Sequence, residues 1–598
     1  MGLTSTVALT AGGLKAAQRA TEIVANNISS ASVDGYTSKT AVVSGIYTEN
    51  GIVGFRAEIT RAFDQEVYDQ LIGATGTTSY LGVRSDYLTQ IDSLMGTTVN
   101  GATLSTALAT FSADLQTLAA QPDDDSAQIV AANSGAALVQ TLRATATSVQ
   151  EIAAGVEADI GDAVVKVNTL LGKIADLNAQ VASSSAQGFD TTGLLDETDK
   201  AVLELSSYLD VQTVRAANGT VRVSTGEALT LVDNARETQF ARNREGQLIV
   251  ANDGNGELDV IEAGLITSGS IAGLYSVRDT MLPQVQSQLD QFAATLARTF
   301  SDTTTAGTAA TVGAATGFSV DLAGLQSGNT VDLTWKDGAT GASHTVTFVK
   351  VSDPTALPLD GSATFDPNDT VVGIDFSGGT ASVVSQIQAA LGSAFAVTNP
   401  SGTTLRIVDD GAAATVDVTA LSTTTTATTT QSGSTAMPLF TDNGGAFTGS
   451  FDGGSQLDGF ATRIRLNSAV AGDPSLLVRY SSTTEAADAT RVDQMIDRLA
   501  DGTSWVSLGG GLTSMKKTLA DYSTSMVAHW AAQSDSADTD LNNQEVVQAT
   551  LQSSMSDISS VGTDSELAKL IQLQSMYSAN AQVLSTLRDM LDRLYNSM

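Results

Sequence analysis

The last thirty-five residues of the chain carry an apolar pattern that predicts one long helix. Between Asp564 and Met598, hydrophobic side chains recur at alternating steps of three and four residues, which is the heptad spacing of a helix packed along another helix. No Gly or Pro interrupts the segment, and Thr563 and Glu566 have the spacing of a capping box at its start. The seam consists of Leu570, Leu573, Tyr577, Asn580, Leu584, Leu587, Leu591 and Leu594.

A second set of apolar residues widens this seam. Met576, Val583 and Met590 lie beside it and repeat every seven residues. The stripe then covers about three positions in seven, which is more than one partner helix covers. We therefore expect the C-terminal helix to be buried among several neighbours, and each buried leucine to contribute roughly 1.5 to 3 kcal/mol.

The N-terminal segment shows a matching pattern. Its apolar residues recur at helical spacing, Asn26 to Ser30 weaken the pattern, and Asp34-Gly35 predicts a turn. Two apolar helices at opposite ends of one chain predict termini that pair with each other and project from the rest. The N-terminal series consists of Leu3, Val7, Leu14, Ala17, Val24 and Ile28.

Charge and composition exclude several function classes. Asp and Glu number 65 against 30 Lys and Arg, a net charge of -35, so the surface repels nucleic acid and anionic lipid. The absence of Cys excludes disulfides and thiolate metal sites. No apolar run approaches the ~20 residues that cross a membrane, and the first thirty residues lack the features of a cleaved signal peptide. We expect neither nucleic-acid binding nor membrane insertion.

The pattern along the chain predicts an α+β multidomain fold. An elongated helical, coiled-coil domain would be formed by the N- and C-terminal segments, with β-rich domains inserted between them. Four regions follow. They are the terminal helical rods at 1–37 and 564–598; a helical bundle at 38–187, 269–300 and 481–563 with a β-hairpin at 42–60; a β-rich middle domain at 188–268 and 435–480; and a variable β-rich insert at 301–434 with flanking linkers.

No motif in the sequence indicates a catalytic site. The chain has two His, His344 and His529, and no His-Glu-x-x-His pair. Its Gly509-Gly510-Gly511 run lacks the Lys-Ser/Thr of a phosphate-binding loop, and Asp366 to Asp369 is better explained as a turn than as a calcium site. We predict no catalytic residue, no cofactor, no metal and no enzymatic activity.

Motifs at both ends resemble one protein family. Ala25-Asn26-Asn27-Ile28-Ser29, followed by Gly35-Tyr36-Thr37, is similar to the N-terminal signature of the axial proteins of the bacterial flagellum, and 565–594 resembles their C-terminal segment. Within that family, Leu194-Leu195-Asp196, the helix from Arg278 to Asp290 and the segment 461–467 resemble the hook-associated protein 1 group.

The resemblance implies a structural subunit that joins the hook to the filament of an extracellular flagellum. It further implies a ring of copies, contacts with the hook subunit and with the second hook-filament junction protein, export by the flagellar type III pathway without a cleaved signal peptide, and an export chaperone. The assembly interface would comprise Leu3, Val7, Leu14, Val24, Asn26, Asn27, Ile28, Gly35, Tyr36, Leu570, Leu573, Tyr577, Asn580, Leu584, Leu587, Leu591 and Leu594.

Two alternatives remain. The chain could be another axial protein, namely the hook subunit, the second junction protein or flagellin. It could also be an exported adhesin or surface enzyme whose activity is carried by residues 317–421. Deleting 317–421 distinguishes the latter, because an assembly protein would still support motility whereas an activity carried by the insert would be lost.

Overall fold

A computed structural model describes residues 3–33, 35–48, 51–96, 103–226, 229–251, 258–364, 369–505, 511–512 and 515–596. Long helices and several small β-sheets are both present among these residues, which confirms the predicted α+β class. Contacts divide the chain into two compact units. Unit 1 comprises residues 1–86, 156–277 and 536–598, and unit 2 comprises residues 87–155 and 278–535.

The described chain contains helices from near its N-terminus to near its C-terminus, separated by groups of strands. A π-helical segment, Val277–Met281, lies between α6 and α7. The helices are α1 (Leu3–Ser29), α2 (Gln65–Met95), α3 (Leu104–Ala120), α4 (Asp125–Ala186), α5 (Thr192–Ser206), α6 (Gly269–Ser276), α7 (Leu282–Ser301), α8 (Gly379–Leu391), α9 (Phe460–Arg463), α10 (Ser468–Gly472), α11 (Thr490–Ala500), α12 (Leu519–Ser559) and α13 (Thr563–Asn596).

The strands form several small sheets. They are β1 (Lys39–Thr48), β2 (Gly51–Arg61), β3 (Gln212–Arg215), β4 (Val221–Ser224), β5 (Thr230–Asp233), β6 (Arg236–Glu237), β7 (Gln239–Arg242), β8 (Leu248–Ala251), β9 (Asp302–Ala306), β10 (Thr308–Val312), β11 (Ala315–Asp321), β12 (Thr330–Asp337), β13 (Ser343–Val351), β14 (Asp369–Asp375), β15 (Ala396–Thr398), β16 (Thr404–Val408), β17 (Val416–Thr426), β18 (Phe440–Asp442), β19 (Gly445–Ala446), β20 (Ile464–Leu466), β21 (Thr503–Trp505) and β22 (Met515–Lys517).

Unit 1 is built around the second half of α4. Val156, Ile160 and Val167 on this helix are fully buried, and the sheet β3-β4-β5-β6 and the pair β7-β8 belong to the same unit. Two asparagines of α4 bind strand backbone. Asn178 exchanges 2.8 Å hydrogen bonds in both directions with the backbone of Val221, and Asn168 pairs in the same way with Phe240. The amides therefore fix the strands on the helix through backbone groups that would otherwise lack partners.

Helix α2 continues without a break through Gly73 and Gly76, and Ile72 and Ala74 in this stretch are buried. A Cβ at Gly76 would come within 3.1 Å of the carbonyl oxygen of Ser206. The glycine is therefore explained by the close approach of α5 and not by a break in α2.

The hairpin predicted at 42–60 is confirmed. Strands β1 and β2 pair antiparallel from Lys39↔Arg61 to Thr48↔Gly51, with an irregularity between Ile46 and Tyr47. Both strands contact α1. Glu49 and Asn50 of the expected turn lie outside the described residues.

The insert in unit 2 holds two sheets, with strand orders β14-β13-β12-β17-β9 and β10-β11-β16-β15, around a core that includes Leu333, Phe348 and Ile387. The flanking linkers that we predicted are largely strands. Residues 302–306 pair with 422–426, so that Thr303 lies opposite Thr425. Threonine-rich, low-complexity sequence suggested a flexible chain, but threonine is β-branched and favours strands once a partner strand is present.

Residues 365–368, in the expected 366–369 turn, lie outside the described residues.

The division into compact units does not coincide with the regions that the sequence suggested. Residues 188–268 belong to unit 1, whereas residues 435–480 belong to unit 2. In unit 2, α7 is buried on nearly all sides, and Phe300 packs against Phe111 and Phe440 with ring centroids 5.6 to 6.0 Å apart.

Asp290 on α7 holds the start of α9. Its Oδ2 accepts a hydrogen bond from the Gly459 backbone N–H at 2.8 Å, and its Oδ1 accepts one from the Ala461 N–H at 2.7 Å. Burial raises the pKa of Asp290 to about 6, although both backbone hydrogen bonds act in the opposite direction. The folded protein therefore binds a proton here at pH values where the unfolded chain has released it.

This raised pKa predicts a pH dependence of stability. Because the folded pKa exceeds the unfolded one, the protonated group contributes stability that is complete below about pH 4 and lost as the pH rises through about 6. Relative to an Asp290→Asn variant, the wild type should lose about 2 to 3 kcal/mol of unfolding free energy between pH 4 and 7. Denaturant unfolding of both proteins across that range measures the difference.

Asp473→Asn is the matched control, because hydrogen bonds to Ser475 lower the pKa of Asp473 instead. The stability advantage of the wild type over Asp473→Asn should not shrink as the pH rises. A constant difference between wild type and Asp290→Asn would contradict the assignment.

Candidate assembly site

Helices α1 and α13 pack against each other in antiparallel directions. Asn27 in the last turns of α1 contacts Glu566 in the first turn of α13. Towards the N-terminus of α1, Ala20 and Val24 line the same small cavity as Gln572 and Leu573. The predicted pairing of the two termini is therefore present within a single chain.

The pairing covers the predicted seam only in part. Val24 and Leu587 are buried, whereas Tyr577, Asn26 and Gly35 are exposed. The side chains of Leu3 and Leu594 lie outside the described residues. The remaining members of the seam are partly exposed, and they are Val7, Leu14, Ile28, Leu570, Leu573, Asn580, Leu584 and Leu591.

Beside the seam, α13 presents an exposed apolar row. Met576, Val583 and Met590 are 49%, 48% and 50% exposed, and they follow one another at seven-residue intervals. We call these three residues the exposed stripe. Leu567 and Ile571 are exposed on the first turns of the same helix. Pairing with α1 therefore leaves apolar area on α13 for a further partner, as the width of the sequence pattern predicted.

A polar cluster lies where the two helices meet the body of unit 1, and Asn27 is its centre. Its side-chain amide is fully buried. Nδ2 donates to the Lys39 carbonyl oxygen at 2.7 Å and to Glu566 Oε2 at 3.0 Å, while Oδ1 accepts from the Lys39 N–H at 3.0 Å and from the Tyr36 hydroxyl at 2.7 Å. Every hydrogen-bonding position of this amide is used.

The link between α1 and the hairpin allows this arrangement. Gly35 has φ = +78°, a conformation that favours glycine, and the chain turns there. Tyr36 and Thr37 follow and point into the cluster. Burial, assisted by nearby carboxylates, raises the pKa of Tyr36 to about 12, so its hydroxyl remains a donor to Asn27 at neutral pH.

Asp196 on α5 connects this link to the body. It is buried and accepts a hydrogen bond from Thr37 Oγ1 at 2.6 Å. It also forms ion pairs with Lys39 Nζ at 3.0 Å and with Arg61 Nη1 at 3.2 Å. One carboxylate therefore binds the link after α1 and both ends of the hairpin.

A second carboxylate, Asp199, lies one turn further along α5. It pairs with Arg61 Nη1 at 2.5 Å and with Arg215 of β3, and its backbone carbonyl accepts a hydrogen bond from the Tyr68 hydroxyl. Burial raises the pKa of Asp199, and the two arginines oppose that shift. We call the whole group the basal cluster, and it consists of Asn27, Tyr36, Thr37, Lys39, Arg61, Asp196, Asp199, Arg215 and Glu566.

Glu566 does not have the role that the sequence suggested. Helix α13 begins at Thr563 itself, whereas the Thr of a capping box would be the N-cap that precedes the first helical residue. The Glu566 residue, however, is only 2% exposed, and its carboxylate accepts from Asn27 and pairs with Lys569 Nζ at 2.6 Å. Its spacing from Thr563 was a local signal, whereas its partner Asn27 is 539 residues away in the sequence.

Lys39, Arg61, Asp199 and Arg215 were not among the residues predicted from the sequence. A usable signal existed for Asp199, because Asp196 and Asp199 are three residues apart and therefore share one face of a helix. Their cationic partners carry no local signal, since they come from a hairpin and a strand elsewhere in the chain.

Across the described ranges, no three His, Cys, Asp or Glu side chains lie close enough together to hold a metal ion. Nor is any described helix both long and apolar enough to cross a lipid bilayer.

Three family models match parts of the chain. Residues 88–318 match the model of the flagellar hook-associated protein FlgK helical domain. Residues 10–37 match the model of the flagella basal body rod protein, and residues 552–597 match the C-terminal model of the flagellar basal body rod FlgEFG proteins. The two rod models cover most of α1 and α13.

Curated proteins of similar sequence carry one name, flagellar hook-associated protein 1. The chain is 25% identical to that of Salmonella typhimurium over 98% of both chains. It is 27% identical to that of Escherichia coli over 48% of this chain and 55% of the other. The solved structure of the flagellar hook junction protein FlgK from Burkholderia pseudomallei aligns with 80% of this chain and 99% of its own at 16% identity, with a TM-score of 0.36.

Proposed function

Because the chain belongs to the flagellar hook-associated protein 1 family, whose members are structural proteins of the flagellum, we propose that it joins the hook to the filament by packing its terminal helix pair between neighbouring subunits. The exposed stripe on α13 is the observation that carries this proposal. It is a regular apolar row on a helix whose other face is already covered by α1.

The energetics favour burial of the stripe in an assembly. Each of the three side chains is about half exposed. Covering the remaining area contributes about 1 kcal/mol per side chain, and the gain repeats for every copy that packs alongside. Helices α1 and α13 also lose backbone entropy on ordering, at about 1 to 2 kcal/mol per residue, so contacts with neighbours are needed to hold them rigid.

The proposed partners follow from this geometry and from the family. Copies of the chain form a ring, the hook subunit lies on one side of it, and the second hook-filament junction protein lies on the other. A dedicated chaperone covers the C-terminal region before export by the flagellar type III pathway. The role is structural, with no catalysis and no cofactor, and the insert at 301–434 remains outside the helical core.

A single charge in the stripe tests the proposal. We expect Val583→Glu to leave hooks without filaments, because a carboxylate buried in an apolar interface costs several kcal/mol unless it is paired. The isolated protein should change by less than about 0.5 kcal/mol, since Val583 is half exposed there. Electron microscopy of cells that carry the variant measures the first effect, and denaturant unfolding measures the second.

Val546→Glu is the matched control. Val546 is 67% exposed on α12, which also contributes to unit 1, but it is outside the stripe. This control should give normal filaments. Normal filaments on cells with Val583→Glu would refute the proposed packing, provided that the variant protein is exported.

A further inference from the structure

The apolar seam between α1 and α13 fixes its own register only in part. On α13, Leu570, Tyr577, Leu584 and Leu591 occupy equivalent positions of successive heptads, and Leu573, Asn580, Leu587 and Leu594 occupy a second such position. If α13 moved along α1 by seven residues, or about 10 Å, Leu591 would replace Leu584 and Leu594 would replace Leu587, whereas Tyr577 would replace Leu570 and Asn580 would replace Leu573. The seam therefore distinguishes the two registers at only part of its length, and a further contact is needed to select one of them strongly.

Two polar residues of α1 do not supply that contact. Thr10 Oγ1 donates to the Thr6 carbonyl at 2.7 Å, and Thr21 Oγ1 donates to the Ala17 carbonyl at 2.8 Å. Both bonds lie within α1, so they form equally well in any register.

The Asn27 and Glu566 pair differs, because it joins the two helices directly through buried groups. A slip of one heptad would place Leu573 where Glu566 stands. The Asn27 amide would lose an acceptor and the carboxylate would lose a buried donor, and both losses are costly away from water. Only three residues, 560–562, connect α12 to α13, so this short connection and the end of α13 must absorb the whole shift.

We infer that the Asn27 and Glu566 pair is the register lock of the terminal helix pair. The other three hydrogen bonds of Asn27 hold its amide against Tyr36 and Lys39, so the lock is also tied to the basal cluster. A buried polar group that selects one register among apolar heptads is an established device in coiled coils.

This inference deepens the proposed function and rests on it for its purpose. The register sets the height of Met576, Val583 and Met590 above the basal cluster. Copies with different registers would present the exposed stripe at heights about 10 Å apart and could not form one regular layer. Asn27 and Glu566 are therefore positioning residues for assembly.

Cysteine cross-linking in the full-length chain reads the register directly, because the natural sequence has no Cys. Ala20→Cys with Gln572→Cys reports the native register, since both positions line one cavity. Ala20→Cys with Ala579→Cys reports a slip of one heptad. With a short bismaleimide, we expect the first pair to react in the otherwise natural chain and the second pair to give only background.

Adding Asn27→Ala should raise the ratio of 20–579 to 20–572 product at least about tenfold, as expected when a buried hydrogen bond to a charged group is lost. Asn27→Asp places a second carboxylate opposite that of Glu566, and we expect it to raise the same ratio of products. Glu566→Gln keeps an acceptor for Asn27 and should preserve the native product. Combining Asn27→Asp with Glu566→Gln restores one donor and one acceptor and should return the native product.

Asn26→Ala is the matched control, because Asn26 is the exposed neighbour. Native product alone in both Asn27 variants would overturn the inference. Loss of both products with loss of helical circular dichroism would also overturn it, since the pair would then hold the helices together without choosing between registers. These measurements use the isolated chain, so they can fail while the Val583→Glu result in cells still supports the proposed function.

Discussion

Removal of residues 564–598 should leave a soluble chain that cannot join hook to filament. The truncation deletes nearly all of α13, the whole exposed stripe and Glu566. Helix α1 would lose the surface that covers Val24 and Ala20, and we expect it to fray, because an isolated amphipathic helix is marginal in water. Unit 2 contains no part of the deleted segment and should remain folded.

Electron microscopy of cells carrying the truncated protein should show hooks without filaments. Circular dichroism of the purified chain should show reduced helix but a cooperative thermal transition. The control is a chain that lacks only residues 595–598, where Tyr595 is 84% exposed, and it should support filaments. If the longer truncation gave normal filaments, the terminal helices would not be the coupling element.

Asp196→Ala should detach the terminal helices from the body of unit 1. The substitution leaves Lys39 without its carboxylate in the cluster, deprives Arg61 of one of its two, and removes the acceptor of Thr37. Breaking a buried ion pair by removing one partner costs about 3 to 5 kcal/mol, because the remaining charge stays buried. Since Arg61 keeps Asp199, we expect the lower end of that range.

Hydrogen-deuterium exchange gives a local measure of this loss. Amides in α1, the hairpin and the start of α5 should exchange roughly a hundredfold faster, as about 3 kcal/mol implies. Glu204→Ala on the same helix is the control. Glu204 pairs with Lys166, but their side chains are 42% and 44% exposed, so the change should stay below about 1 kcal/mol. Equal effects of the two substitutions would show that Asp196 has no special role.

Features with a local period could be predicted from the sequence. The seam of α13, the matching series of α1 and the hairpin at 42–60 each follow from residues within a few turns of one another. The width of the α13 stripe also predicted an uncovered face, which Met576, Val583 and Met590 provide.

Features built from distant partners could not be predicted in the same way. Strand β9 was assigned as linker because its partner, β17, lies more than a hundred residues later in the chain. Glu566 was assigned to its own helix end because a capping box is a complete local explanation. Asp196 and Thr37 each lie in a motif, but the contacts of Asp196 with Thr37, Lys39 and Arg61 could not be predicted, because the nearest of these partners is 135 residues away.

The sequence by itself determined that the two ends of this protein are long amphipathic helices, because hydrophobic periodicity is set by residues only three and four positions apart in the chain. Only the tertiary structure decided where those helices are anchored. Asn27, Asp196 and Glu566 each need a buried partner of matching charge or hydrogen-bonding capacity, and the identity of that partner is fixed by the path of the chain through space and not by its order.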